Sequence, residues 1–91
     1  MRYKIRQSKR FKRELKTAEK RGWDMDKLDA VVELLSKGVT LPLKNRDHAL
    51  TGEYDGYREC HITSDWLLVY RIEEDVLVLY LFRTGTHSDL F

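Results

Sequence analysis

The sequence has one cysteine, one proline, no long apolar run and no internal repeat. One thiol cannot close an intramolecular disulfide, and no signal sequence opens the chain, so a reducing, cytoplasmic location is expected. No apolar run approaches the length needed to span a bilayer, and no membrane partner is expected. What is there is an ordinary globular composition over 91 residues, predicted to form a single domain, 1–91, with one modest core.

Charge is distributed unevenly along the chain. The net charge is only +2, but residues 1–21 carry ten Lys or Arg against Glu14 and Glu19, a balance of +8 that leaves −6 for the rest. Clustered cations raise the local potential whatever the total charge, so this basic segment can attract nucleic acid or an acidic protein. The alternative is a solvated helix face with no partner.

The N-terminal half predicts one strand and two helices. Alternation over residues 2–7 is typical of a half-buried edge strand. Ser8 can cap a first helix that Gly22 ends, and Asp24 can cap a second that Gly38 ends. The apolar stripes of these helices are narrow, so the helical hairpin must pack against a sheet.

The C-terminal half predicts a meander. A polar loop over 39–55, which contains the one proline, Pro42, and a short extended piece, is followed by strands over 57–62, 66–72 and 76–83. Their short connections require antiparallel hairpins. The last strand is apolar on both faces, which suits a central position. The expected fold is α+β, in the order β-α-α-β-β-β, with an antiparallel sheet and the helical hairpin on one face.

Several acidic, imidazole and aromatic side chains lie in these strands or in the turns that follow them. Alternation places Glu59 and His61 on one face, and Asp65 and Trp66 close the next turn. The Thr84-Gly85-Thr86 stretch is predicted to leave the sheet between Arg83 and His87, and loops on rigid elements often carry function. Each residue also has an alternative role that involves no catalysis: a structural histidine, an ordinary turn residue or part of a solvated tail.

Cleavage of RNA through its own 2′-hydroxyl needs a base, an acid and positive charge on the phosphorane. Histidine can serve as either base or acid, an arginine can bind the phosphorane, and aromatic rings can stack on splayed bases. A metal held by the three histidines is the less favoured alternative, because their spacing resembles no compact zinc motif.

With these residues in view, the chain resembles the YafQ-type toxins of the RelE/ParE superfamily. The resemblance covers nearly the whole length, and the matching segments are Leu41-Pro42-Leu43, Asp47-His48-Ala49-Leu50-Thr51-Gly52, Gly56-Tyr57-Arg58-Glu59-Cys60-His61, Asp65-Trp66-Leu67-Leu68-Val69-Tyr70 and Arg83-Thr84-Gly85-Thr86-His87-Ser88-Asp89-Leu90-Phe91.

The resemblance implies a RelE-like fold and a toxin that cuts mRNA in the ribosomal A site at adenine-rich codons, with no metal or other cofactor. It implies a DinJ/RelB-like antitoxin partner, with operator DNA bound only through the toxin–antitoxin complex. The implied catalytic residues are His48, His61, Asp65, Arg83 and His87, and the implied substrate-binding residues are Glu59, Trp66 and Phe91. Glu59 departs from the Asp of some relatives. The basic helix would contact ribosomal RNA through Lys9, Arg10, Lys12, Arg13, Lys16 and Lys20.

Three other functions stay open. A ParE-like gyrase poison would share the fold, but such a poison needs no acid and base. A non-catalytic RNA- or protein-binding module would use the histidines structurally, and a simple nuclease would cut free RNA.

Overall fold

The structure, a computed structural model, describes residues 2–91. Its helices and strands follow the chain in the order β1 (Lys4–Gln7), α1 (Lys9–Lys20), α2 (Met25–Ser36), β2 (His48–Ala49), β3 (Arg58–Thr63), β4 (Trp66–Glu73), β5 (Val78–Gly85) and α3 (His87–Leu90). Single 3₁₀ turns lie at Leu43–Asn45 and Gly52–Tyr54. Within residues 2–91, no helix is long and apolar enough to cross a membrane.

The five strands form one mixed sheet in the order β1-β5-β4-β3-β2. The meander is antiparallel, as predicted, but β1 runs parallel to β5, with Ile5 opposite Leu79. The predicted antiparallel sheet is therefore wrong at this edge. Only a tight hairpin enforces antiparallel pairing, and most of the chain separates β1 from β5, so their connection leaves the direction open.

The helix boundaries follow the predicted caps. Ser8 Oγ accepts the Phe11 N–H at 2.9 Å, and Asp24 Oδ1 accepts the Asp26 N–H at 3.0 Å. Gly22 and Gly38, which follow the two helices, have φ values of 78° and 77°, a left-handed conformation that costs glycine little. The helical hairpin is confirmed.

The main core lies between the helical hairpin and one face of the sheet, where Phe11, Leu28, Cys60, Leu68 and Leu79 are all buried. Burial raises the pKa of the Cys60 thiol, so this cysteine stays protonated. A smaller apolar cluster covers the opposite face, built on the buried side chains Leu67, Val69 and Leu90. The second cluster ties α3 to the sheet.

The last strand is shifted relative to its prediction. Val76 and Leu77 lie in the preceding turn, where they are 61% and 45% exposed, and Leu77 has a φ of 53°. The strand continues through Thr84 and Gly85, which pair with Leu68 and Leu67. The predicted exit from the sheet at Thr84 is therefore wrong: ladder pairing and burial of Thr84 outweigh its turn propensity.

Candidate active site

Two imidazoles converge on one buried carboxylate. β2 pairs with β3 so that His48 lies opposite Glu59, and His61 follows Glu59 by two residues on the same face. The Nε2 atoms of His48 and His61 lie 3.6 and 3.9 Å from Glu59 Oε1. The Glu59 side chain is only 5% exposed. A buried carboxylate needs compensation, and these rings supply it when either is protonated.

The backbone fixes the tautomer of His48. Its Nδ1 lies 2.7 Å from the carbonyl oxygen of Arg46. A carbonyl oxygen only accepts hydrogen bonds, so Nδ1 carries a proton and Nε2 is the basic atom of the neutral ring. Arg46 presents this carbonyl from a left-handed conformation with a φ of 47°. With Nδ1 held by this carbonyl oxygen, the Nε2 atom of His48 faces Glu59.

The third imidazole, His87, reaches the cluster from α3. Its ring centroid lies 6.0 Å from that of His61 and 6.0 Å from that of Phe91. Asp65 Oδ1 accepts the His87 backbone N–H at 3.2 Å and lies 3.9 Å from His87 Nδ1. The His87 side chain remains 59% exposed. The structure thus brings together the three histidines, Glu59, Asp65 and Phe91.

A clamp that sequence reasoning missed holds α3 in place. Thr86 and Asp89 form a reciprocal capping box. Arg21, just after α1, donates to both carboxylate oxygens of Asp89 at 2.7 and 3.2 Å. The Arg21 guanidinium and the Thr86 N–H hold the pKa of Asp89 well below its usual range. The sequence offers no signal for this pairing across 68 residues.

Arg83 is engaged in an ion pair with Glu14. Its Nη2 lies 2.6 Å from Glu14 Oε2, and the two side chains are 12% and 18% exposed. Glu14 Oε1 also accepts the Thr84 N–H at 3.2 Å. Hydrogen bonding to Glu14 raises the pKa of Arg83, and longer contacts reach Tyr54 Oη and the Leu90 carbonyl oxygen. The predicted contact of Arg83 with the phosphorane is not supported by this geometry, because Glu14 already neutralises the guanidinium.

Trp66 is not placed to stack on a base. Its side chain lies in the main core, 2% exposed, and its Nε1–H donates to Thr84 Oγ1 at 2.8 Å. Its ring packs against Trp23 at 5.0 Å between centroids, and the Arg21 guanidinium lies over Trp23 at 4.9 Å. The base-stacking prediction is wrong for Trp66, whose indole supports the Arg21 clamp instead.

The basic face of α1 is open to solvent. The predicted contacts to ribosomal RNA are all exposed: Lys9, Arg10, Lys12, Arg13, Lys16 and Lys20. In the part of the chain that the structure describes, none of the six is in an ion pair. The same part contains no group of three or more His, Cys, Asp or Glu side chains arranged to hold a metal ion. The role of the six basic residues of α1 on the ribosome stays a prediction.

Comparison with known proteins identifies the family. The profile described as "Bacterial toxin of type II toxin-antitoxin system, YafQ" matches residues 3–91. The mRNA interferase toxin YafQ of Escherichia coli strain K12 is 39% identical over 88 residues, 96% of this chain and 94% of that protein. The chain also resembles the crystal structure of the E. coli DinJ-YafQ toxin-antitoxin complex, with a TM-score of 0.89, 37% identity and coverage of 100% and 99% of the two chains. A metal-bound toxin from Helicobacter pylori gives a TM-score of 0.93 at 42% identity, covering 98% and 99%. The chain therefore belongs to the YafQ family, the bacterial toxins of type II toxin-antitoxin systems.

Proposed function

We propose that this protein is an mRNA interferase that cleaves mRNA on the ribosome through attack by the 2′-hydroxyl. The observation that carries the proposal is the His61–His87 pair, whose ring centroids are 6.0 Å apart. A phosphate between the rings can be reached by both. Each ring has a carboxylate beside it, Glu59 near His61 and Asp65 near His87, and a carboxylate orients an imidazole and stabilises its protonated form.

We assign His61 as base and His87 as acid. His61 takes the proton of the 2′-hydroxyl, O2′ attacks phosphorus, the P–O5′ bond breaks, and His87 donates a proton to O5′. The products are a 2′,3′-cyclic phosphate and a 5′-hydroxyl. His48 shares Glu59 with His61, so it can stabilise the same carboxylate and serve as the alternative base. The protons move entirely between side chains and RNA, and the proposal includes no metal.

The surroundings of the imidazoles have separate proposed roles. Glu59 is too deeply buried to bind substrate directly, so we assign it to orienting the two histidines beside it. Arg83 holds the carbonyl of Leu90 and the hydroxyl of Tyr54, which positions the end of α3. Phe91, 56% exposed and 5.4 Å from the Tyr54 ring centroid, would stack on the nucleotide that follows the cut.

The partners follow from charge and from the family. The exposed cations of α1 would bind ribosomal RNA phosphates in the A site. A DinJ/RelB-like antitoxin would neutralise the toxin, since related toxins are found in complexes with DinJ. The proposal also includes a preference for cleavage at adenine-rich codons.

The test is cleavage of a defined adenine-rich message, free and on programmed ribosomes, with mapped product ends. Cleavage only on ribosomes is expected, with a loss of about a hundred- to ten-thousand-fold in His87→Ala and in His61→Ala. A message with sulfur in place of the bridging 5′-oxygen should selectively restore cleavage by His87→Ala, because a thiolate leaves without being protonated. His87→Ala activity within about threefold of the wild type would refute the assignment, and cleavage by neither protein would favour a gyrase poison or a binding module.

A further inference from the structure

A groove with a basic rim adjoins His61. Its cavity volume is about 560 Å³, within the range typical of small-ligand sites. It lies at the edge of β3, between α2 and the turn over 42–46. The short β2 pairs only with Arg58 and Glu59, so this end of β3 has no neighbouring strand on that edge.

The rim of the groove holds the unpaired positive charge of an otherwise acidic part of the chain. Residues 22–91 have a balance of −6, with seven Lys or Arg. Four of these are in ion pairs: Lys37, Arg58, Arg71 and Arg83. Within the described residues, the remaining three have no such partner, and all three line the groove: Lys27, Lys44 and Arg46. No carboxylate is among the described residues that line it.

The floor of the groove is apolar and firmly held. Val31 and Ile62 are 7% and 9% exposed, and Leu34 lies beside them. Asn45, 6% exposed, donates from Nδ2 to the His61 carbonyl oxygen at 2.7 Å, which fixes the turn to β3. An apolar floor under a cationic rim suits a nucleobase with its phosphate, because the base face packs on side chains while the phosphate meets the cations.

We propose that this groove binds the mRNA nucleotide on the 5′ side of the scissile bond. The inference rests on the proposed function: the nucleotide that carries the attacking 2′-hydroxyl must lie against the base, His61. His61 lines the groove, whereas Phe91 packs beside the acid, His87, at 6.0 Å between ring centroids, so the proposal assigns the groove and Phe91 to opposite sides of the cut. The groove therefore contributes to the choice of codon.

Two variants test the groove without touching the imidazoles. Ala30→Trp fills it from an exposed position on α2, and Glu33→Trp is the matched control, since Glu33 is exposed on the same helix outside the groove. Lys27→Glu reverses one rim charge, and Lys37→Glu makes the same charge change at the other end of α2. Ala30→Trp and Lys27→Glu should lower kcat/KM on programmed ribosomes about five- to a hundredfold, while both controls stay within about twofold of the wild type.

A message with an abasic ribose, its 2′-hydroxyl kept, just 5′ of the cut separates groove binding from a structural effect. The wild type should cleave it about five- to a hundredfold more slowly than the intact message. Ala30→Trp should show almost no further loss, because removal of the base and filling of the groove eliminate the same interaction. An undiminished abasic penalty in Ala30→Trp would overturn the inference.

Ribosome and antitoxin binding distinguish the other occupants. Ribosome affinity, measured by co-sedimentation, should be unchanged in Ala30→Trp and Lys27→Glu; a fall matching the loss of cleavage would place ribosomal RNA in the groove. Weaker antitoxin binding with unchanged cleavage would place the antitoxin there instead. Either result overturns the mRNA assignment. A wild type that cleaves while His87→Ala does not would leave the proposed function standing even if the groove inference fails.

Discussion

Replacing Glu14, a half-buried carboxylate on α1, with alanine should destabilise the fold strongly. Beyond the end of β1, the Glu14 carboxylate accepts hydrogen bonds from two groups of β5: the guanidinium of Arg83 at 2.6 Å and the Thr84 N–H at 3.2 Å. Thr84 is 1% exposed, so water cannot readily replace the lost acceptor. The substitution leaves a largely buried charge unpaired and a buried N–H unsatisfied.

The magnitude follows from these two losses. Removing one partner of a buried ion pair costs about 3–5 kcal/mol; Arg83 keeps Tyr54 and the Leu90 carbonyl as acceptors, so its share is nearer about 2–3 kcal/mol. The unsatisfied Thr84 N–H adds about 1 kcal/mol. The expected loss for Glu14→Ala is about 3–4 kcal/mol, a fall in Tm of at least about 12 °C for a domain of this size.

Urea denaturation followed by circular dichroism and tryptophan fluorescence measures this loss. Glu14→Gln keeps a carbonyl acceptor and should lose only about 1–2 kcal/mol. Glu19→Ala, an exposed carboxylate on the same helix, is the matched control and should stay within about 0.5 kcal/mol of the wild type. If Glu14→Ala were as stable as Glu19→Ala, the ion pair would not contribute to the fold and the positioning role of Arg83 would fail with it.

Three further predictions concern α3, Trp66 and the basic helix. The pKa of Asp89 is lowered in the folded state, so the stabilisation from its carboxylate is complete above its unfolded pKa of about 3.9 and is lost as the pH falls toward the lower folded value. Asp89→Asn should therefore remove part of the acid-induced loss of stability, measured as urea midpoints between about pH 5 and 2. An unchanged pH profile would contradict the role of Asp89 in holding α3. Trp66→Phe should lower the free energy of unfolding by about 1–2 kcal/mol, because the hydrogen bond to Thr84 is lost, but it should cleave RNA nearly as the wild type does at a temperature where it is folded. Phe91→Ala should lose about five- to a hundredfold in activity. Equal activity losses in the two variants would restore Trp66 as a stacking residue. Reversing Lys9, Lys12, Arg13 and Lys16 to Glu should abolish ribosome binding without unfolding the protein, and wild-type binding should weaken steeply with salt; ribosome binding that is unchanged would mean that the basic face serves another partner.

Local sequence signals predicted most of the elements correctly. Ser8, Gly22, Asp24 and Gly38 mark the helix ends because capping and left-handed backbone are decided by a few neighbouring atoms. Alternation along β3 placed Glu59 and His61 on one face, because the period of a strand is fixed by backbone geometry. The predictions failed where a long-range contact competes with a local preference, as at Thr84, whose burial keeps it in β5.

The sequence by itself determined the elements, the uneven charge and the residue types available for acid–base chemistry, since these depend on composition and on neighbours along the chain. Only the tertiary structure decided which of those residues meet. It placed His87 beside His61, moved Trp66 into the core, paired Arg83 with Glu14, and turned β1 parallel to β5. The physical reason is that burial and ion pairing depend on contacts between residues distant in sequence, such as the pairing of Glu14 with Arg83, and local patterns carry no record of those contacts.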